Sequence, residues 1–229
     1  MVFFFVSYCS DKDIELLKKR YNSDDVLIGV DQGADILYRN GLKPNFVIGD
    51  FDSLQTDLKE FGSECEIITL SIEKDQSDLE YAIDYFLNAK CKMKNVNTPA
   101  HQPIGNRHYK RGMESVEIVI INSLQGRVDH ILSTIYLFEK YPQAKILNAE
   151  QEVFWINKDF VSEMPLNTCL SLLPISDEVK NVTTSGLYYS LNNETLQRMN
   201  SRGISNKSLE NKVMISFEEG KMIGVISYE

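Results

Sequence analysis

An open, mostly parallel α/β sheet domain followed by an antiparallel β-sandwich is the fold class this sequence predicts, and three observations carry it. Through the first two thirds, short apolar runs alternate with helix-period segments, as parallel strands joined by crossover helices require. From about Ala144 the helical spacing gives way to short β-type runs broken by Asn, Ser and Gly turns. The chain has 229 residues, 43% hydrophobic and 25% charged, which is enough apolar material for one large domain or two small ones.

The elements follow in order. Val2 to Tyr8 reads as a buried first strand. Ser10 and Asp13 form a possible N-cap pair for a helix carrying Ile14, Leu17 and Tyr21 on one face. Val26 to Val30 is a second strand, and Ala34 to Asn40 a short helix stopped by Gly41 and Pro44. Phe46 to Gly49 and Glu66 to Leu70 are the third and fourth strands. A helix capped by Ser77 places Leu79, Ala82, Ile83, Phe86 and Leu87 on one side. Val116 to Ile121 suits the middle of a parallel sheet, and Asp129 to Lys140 returns to helical spacing through Ile131, Ile135 and Phe138. The domain boundary is expected near Tyr141-Pro142, giving domains 1–142 and 143–229. In the second, Val153 to Ile156, Lys212 to Phe217 and Met222 to Ile226 read as strands.

Charge and cysteine usage narrow the function. Twenty-four basic against 33 acidic residues give a formal charge of −9, a surface that repels a nucleic-acid backbone. Carboxylates gathered in a cleft would instead recruit a divalent cation that holds phosphates. Cys9, Cys65, Cys91 and Cys169 form no C-x-x-C pair, which reads as reduced thiols in a cytoplasmic protein. The apolar opening Met1 to Val6 lacks a basic flank and runs into Asp11-Lys-Asp13, so it fits neither a signal peptide nor a membrane span. From Cys91 to Met113 no acidic residue occurs, while Lys92, Lys94, Arg107, Lys110 and Arg111 accumulate. This basic insert reads either as a solvated loop or as a contact for nucleotide or partner.

The sharpest local signal is Phe46-Val-Ile-Gly-Asp50-Phe-Asp52-Ser53, an apolar strand ending in two carboxylates. Strand carboxyl ends form the ligand crevice of an open α/β sheet, and side chains two apart on extended backbone point to the same side. Asp50 and Asp52 would then face one Mg²⁺, which prefers one or two carboxylates plus substrate phosphates. A surface turn with a capping Asp52 is the simpler alternative. Asp31 closes the second strand, and Gly33 leaves room for close approach to a ligand. Lys74 and Ser77-Asp78 bring a cation and another carboxylate to the start of the helix after the fourth strand. Gly126, Arg127 and Asp129 lie at a helix start suited to an anion. Four strand ends presenting Asp, Lys or Arg at one rim favour metal-assisted phosphoryl chemistry.

These residues stand in motifs, and the chain resembles the thiamin pyrophosphokinase family. The resemblance rests on Asp31-Gln-Gly-Ala34, Gly49-Asp-Phe-Asp-Ser53, Lys74-Asp-Gln-Ser-Asp78, Gly126-Arg-Val-Asp129, Gly186-Leu-Tyr-Tyr189 and Arg202-Gly-Ile-Ser-Asn206, in the family's order. Gln32 and Gln125 replace glycines usual in the family, Ser77 replaces a threonine, and an aromatic often found after Ser-Asn is missing at Lys207-Ser208. The resemblance implies an ATP- and Mg²⁺-binding α/β domain, a β-sandwich, and a homodimer with thiamin sites between subunits. It also implies transfer of pyrophosphate from ATP to thiamin, giving thiamin diphosphate and AMP. In that reading Asp31, Asp50, Asp52 and Asp78 hold metal, and Gly33, Lys74, Ser77 and Arg127 meet ATP phosphates. Asp129 orients Arg127 or acts at the helix start, Tyr189 stacks on a thiamin ring, and Ser205 and Asn206 bond its pyrimidine. No residue is assigned as general base. A haloacid-dehalogenase-type phosphatase, a metal-dependent glycosyltransferase and a non-catalytic thiamin or nucleotide sensor are the alternatives. No later strand ends in the paired acidic residues that the phosphatase requires.

Overall fold

The computed structural model describes residues 1–93 and 117–228, which divide into two compact units, Met1–Leu137 and Phe138–Glu229. The first unit is built on five parallel strands, β1 (Val2–Val6), β2 (Val26–Val30), β3 (Phe46–Gly49), β4 (Glu66–Thr69) and β5 (Glu117–Ile121). Their spatial order is β5-β1-β2-β3-β4, with registers such as Phe4 opposite Leu27 and Phe4 opposite Val119. The order reverses beside β1, so the crevice expected in such a sheet opens at the carboxyl ends of these strands. Phe5, Val6, Leu27, Ile28, Val47, Ile48, Ile120 and Ile121 are almost fully enclosed, as strands covered on both faces require.

Helices α1 (Asp11–Arg20), α2 (Gln32–Arg39), α3 (Asp78–Met93) and α4 (Val128–Tyr136) connect or flank the strands. The Ser10 and Asp13 pair forms a reciprocal capping box on α1. Ser77 caps α3 by accepting the Glu80 N–H at 3.2 Å. Leu79, Ala82, Ile83, Phe86 and Leu87 are all buried, the face that 3.6-residue spacing dictates. Phe86 meets the rings of Phe3, Phe5 and Phe46, so truncating it would cost about 3–5 kcal/mol. Helix α3 takes in Cys91 to Met93 as backbone, and the remainder of the basic insert lies outside the described residues.

Helix α4 is shorter than the spacing from Asp129 to Lys140 predicts. After Tyr136 the chain tightens into a 3₁₀ turn at Leu137–Glu139, leaving Phe138 and then Tyr141 buried. Such tightening is a common way for a helix to end.

The second unit has a sheet ordered β12-β9-β14-β7-β6. It consists of β6 (Ala144–Leu147), β7 (Gln151–Ile156), β9 (Cys169–Pro174), β12 (Asn206–Lys207) and β14 (Met222–Ser227), each antiparallel to its neighbour. Strands β8 (Asp159–Glu163), β10 (Glu178–Ser185), β11 (Glu194–Gln197) and β13 (Lys212–Ser216) form a second antiparallel sheet, ordered β11-β10-β13-β8. Ile156, Leu170, Leu172 and Met222 of one sheet share a core with Val179, Val182, Leu196, Val213 and Ile215 of the other, which is the expected sandwich. Among the described residues no helix is long and apolar enough to cross a membrane.

Candidate active site

At the carboxyl end of β2 the chain turns sharply at Asp31, whose φ of 47° is rare for a residue with a side chain. The turn is held by its N–H donating to the Ile48 carbonyl at 3.0 Å, which ties it to β3. Two glycines make the fit possible. A Cβ on Gly49 would lie 2.0 Å from Asp31 Oδ1, and a Cβ on Gly33 would lie 1.9 Å from the Val6 carbonyl oxygen. The room at Gly33 is thus taken up by the end of β1, which lets α2 start against the sheet.

Beyond β3, Asp50 and Asp52 are brought together by a different route from the extended alternation expected of them. Phe51 has a φ of 61°, so the backbone turns through the left-handed region between them. The Asp52 N–H donates to Asp50 Oδ1 at 3.3 Å. The strained turn is over-determined by packing, because Phe51, Leu54 and Leu58 rest on Ala34, Val47 and Phe61.

Lys74 and Asp78 complete the cluster from the start of α3. The Lys74 ammonium lies 3.2 Å from Asp50 Oδ2, to which it donates, and 3.0 Å from Asp78 Oδ1 in an ion pair. Asp50 is held below its ordinary pKa: partial burial pushes upward, but the Asp52 N–H and the Lys74 ammonium outweigh it. Burial alone would lower Lys74, yet its bonds to Asp78 and Asp50 hold it above the usual lysine range. Asp31 goes the other way, up to about 7, driven first by burial, then by the charge of Asp78, a hydrogen bond with Asp78 and the charge of Asp50, against the pull of Lys74.

Four carboxylates supply only hard oxygen donors, and Asp31 Oδ1 is buried without a hydrogen-bond donor. This chemistry fits Mg²⁺. Among the described residues no three such groups form a ready-made metal cage, and the Lys74 ammonium lies against Asp50 and Asp78.

Arg127 and Asp129 stand apart from this cluster. They form an exposed two-bonded ion pair at the start of α4, following the turn at Gly126 with its φ of 88°. Hydrogen bonding to Asp129 and then its charge hold Arg127 above its ordinary value. The guanidinium is oriented, charged and open to an anion.

A cleft of about 280 Å³ lies beside α2 and is lined by Gln32 and Ser53 of two motifs together with Tyr8, Asp35, Arg39 and Gln55, which no motif marks. The i, i+4 spacing of Asp31 and Asp35 was the available signal, since it puts two carboxylates along one helix start.

In the second unit, the segments around Tyr189 and Asn206 meet. The Tyr188 N–H donates to the Lys207 carbonyl, and Leu187 pairs with Ser208. Asn206 is buried, and its amide clamps Tyr189: Oδ1 accepts the Tyr189 and Lys207 N–H groups, and Nδ2 donates to the Tyr189 carbonyl. Asn206 thus holds the backbone that carries Tyr189. Tyr189 itself is 55% exposed and edge-on to Tyr188 at 4.8 Å. Ser205 is exposed, with a φ of 55° and its N–H donating to Ser171 Oγ.

Comparison with known proteins agrees with both units. Residues 17–149 match the model of the thiamin pyrophosphokinase catalytic domain, and residues 156–222 that family's vitamin B1 binding domain. A thiamine pyrophosphokinase of Bacillus subtilis is 27% identical over 87% of this chain and 86% of its own length. Thiamine pyrophosphokinase 2 of Arabidopsis thaliana is 26% identical over 69% of this chain and 56% of its own length. The crystal structure of the Bacillus subtilis enzyme shares the fold across the full length of both chains, with a TM-score of 0.78 at 23% identity. With the catalytic-domain match alone spanning more than half of its length, this chain belongs to the thiamin pyrophosphokinase family.

Proposed function

We propose that the chain transfers the pyrophosphoryl group of ATP to the hydroxyl of thiamin, giving thiamin diphosphate and AMP, with Asp50, Asp52, Asp78 and Asp31 holding Mg²⁺. The observation that carries this reading is the gathering of Asp31, Asp50 and Asp78 around Lys74 at the ends of β2 and β3 and the start of α3, with Asp52 tied to Asp50 through its N–H. A bound Mg²⁺ would neutralise triphosphate charge and hold the nucleotide in line for displacement. The thiamin oxygen forms a bond to the β-phosphorus, the bond from that phosphorus to the α–β bridging oxygen breaks, and AMP leaves on that oxygen. The hydroxyl proton is lost without any side chain being assigned as base.

The chain's own groups have separable tasks. Lys74 offers one ammonium to phosphate oxygens while remaining protonated through its acidic neighbours. Arg127, oriented by Asp129, supplies a second cation for the transferred group. Ser77 and Gly33 stand at helix starts where backbone N–H groups favour anions. Tyr189 offers a ring face to thiamin, which cation attraction strengthens if it meets the thiazolium. Ser205, one residue before Asn206, is exposed and could offer its hydroxyl to the pyrimidine. The homodimer with shared thiamin sites and the cytoplasmic setting belong to this reading. Support for the latter is that the described cysteines Cys9, Cys65 and Cys169 are all free thiols.

The test is product identity. Purified protein with ATP and Mg²⁺ should release AMP only when thiamin is added, in a one-to-one ratio with thiamin diphosphate. Free phosphate without thiamin would support a phosphatase, and thiamin binding without turnover a sensor. Either result ends the proposal.

A further inference from the structure

We propose that Asp35 is a positioning residue for the metal-holding loop: from one turn inside α2 it fixes where Asp50 and Asp52 stand relative to Asp31. This inference rests on the metal assignment above and extends it to a residue outside the six family motifs.

Asp35 is only 6% exposed on its helix, where the charge of Arg39 acts on it while Arg39 Nε donates to the Asp35 main-chain carbonyl. Its carboxylate is spent on backbone across the crevice. Oδ2 accepts the Gln55 N–H at 2.9 Å and Oδ1 the Thr56 N–H at 2.8 Å, two successive amides lying three and four residues beyond Asp52. Charge-assisted bonds of this kind to adjacent N–H groups fix orientation as well as distance. The stretch they hold contains no strand or α-helix to set its own shape, and Phe51 sits in the left-handed region. Such a turn persists only when its surroundings determine it.

The loop is fixed at both ends. At one, Gly49 is paired in β3 and its carbonyl accepts the Leu70 N–H at 2.8 Å. At the other stands Asp35, with Tyr38 one turn further along α2 donating to Glu60 at 3.1 Å. Asp31 immediately precedes the same helix, and its carboxyl lies against Gly49. Helix α2 is therefore a rigid spacer with a metal-site carboxylate at its start and the anchor for the other two one turn later. Groups that orient ligands in this way typically change metal affinity 10–100-fold when removed.

The experiment titrates full-length wild type, Asp35→Ala and Asp35→Asn with Mn²⁺ by EPR in the absence of nucleotide, alongside kinetics and thermal unfolding. Asp35→Ala should bind Mn²⁺ roughly 10–100-fold more weakly and lose kcat, with KM for thiamin unchanged. Asp35→Asn, which keeps one accepting oxygen and sets an amide against the other N–H, should fall between. A folded Asp35→Ala with wild-type Mn²⁺ affinity overturns the proposal. Should that variant fail to fold, wild-type affinity in Asp35→Asn overturns it equally. A weakened metal site accompanied by an equal rise in KM for thiamin marks a residue that merely supports the fold, and also overturns it. Wild-type protein that binds no Mn²⁺ removes the metal assignment and this proposal together, whereas equal binding by all three proteins removes the role of Asp35 alone.

Discussion

In the crevice of the first unit, Asp31, Asp50 and Asp78 crowd around one lysine with Asp52 next to Asp50, while on the second unit Tyr188 and Tyr189 stand exposed on a scaffold of paired backbone groups. The first region carries unresolved electrostatic cost: a carboxyl raised to about 7 and a buried oxygen without a donor. The second carries almost none, because the buried Asn206 amide is satisfied by Tyr189 and Lys207. On the proposed assignment, the crevice for a charged ligand is left electrostatically incomplete, whereas the segment that offers a ring face is held rigid in advance. Changing a residue should therefore cost activity in the crevice and stability in the shelf beneath the tyrosines.

The largest expected effect tests the crevice. Asp52→Asn should lower Mg²⁺-dependent turnover by roughly 10²–10³-fold with an unchanged melting curve, since this exposed side chain serves no core contact. Near-normal turnover in the folded variant would remove Asp52 from the metal site. Pairing of subunits is read next, by co-expressing Asp52→Asn with Tyr189→Ala. If sites are shared and chains pair at random, about half the dimers are mixed and each regains one intact site, so about a quarter of wild-type turnover should return with the wild-type KM for thiamin. Turnover that shows only the raised KM of Tyr189→Ala, with mixed dimers confirmed by mass, excludes shared sites.

Two further variants separate ring from clamp. Tyr189→Ala should raise KM for thiamin roughly 3–30-fold, the worth of one cation–ring contact, with kcat and melting temperature little changed. Asn206→Ala should instead destabilise by about 1–3 kcal/mol, because it strands backbone groups that the amide had satisfied. If Asn206→Ala weakens thiamin binding with no loss in chemical denaturation, the amide touches substrate after all.

The smallest effect concerns Asp31 and follows from the sign of its shift. Its folded pKa, about 7, lies above the ordinary 3.8, so the folded chain retains a proton that the unfolded chain releases. Stability is then greatest below the unfolded value and falls as pH rises through this window to about 7. Asp31→Asn removes the penalty. In metal-free buffer it should melt roughly 2–4 °C above wild type at pH 8 and level with it near pH 4. An equal or lower melting temperature at pH 8 would show that the raised carboxyl does not burden the fold.

How much of this was legible in the sequence depended on whether the determinant was periodic. The buried face of α3 could be read from Leu79 to Leu87 because helix geometry converts spacing into burial. Strand ends rich in Asp could be found because β2 and β3 are short apolar runs with abrupt polar ends. The pairing of Asp50 with Asp52 was expected for the wrong geometric reason: alternation assumes extended backbone, and Phe51 turns left-handed. The tasks of Asp35 and Asn206 were not legible even where spacing or motif marked the residues, since an acceptor for main-chain N–H groups imposes no side-chain pattern on the segment it holds. Short strands such as β11 and β12 were illegible for a related reason, because their place is set by partners far along the chain.

The position of Lys74 has a consequence for the order of events in the life of the molecule. Small domains organised by a metal stay unfolded until the ion arrives, so their synthesis is tied to its supply. Here the chain brings its own counter-charge to the acidic crevice, with Lys74 against Asp50 and Asp78 from the start. If the crevice holds Mg²⁺ as proposed above, a newly made chain can close around its lysine first and be loaded later, so scarcity of the ion would leave the chain folded but idle.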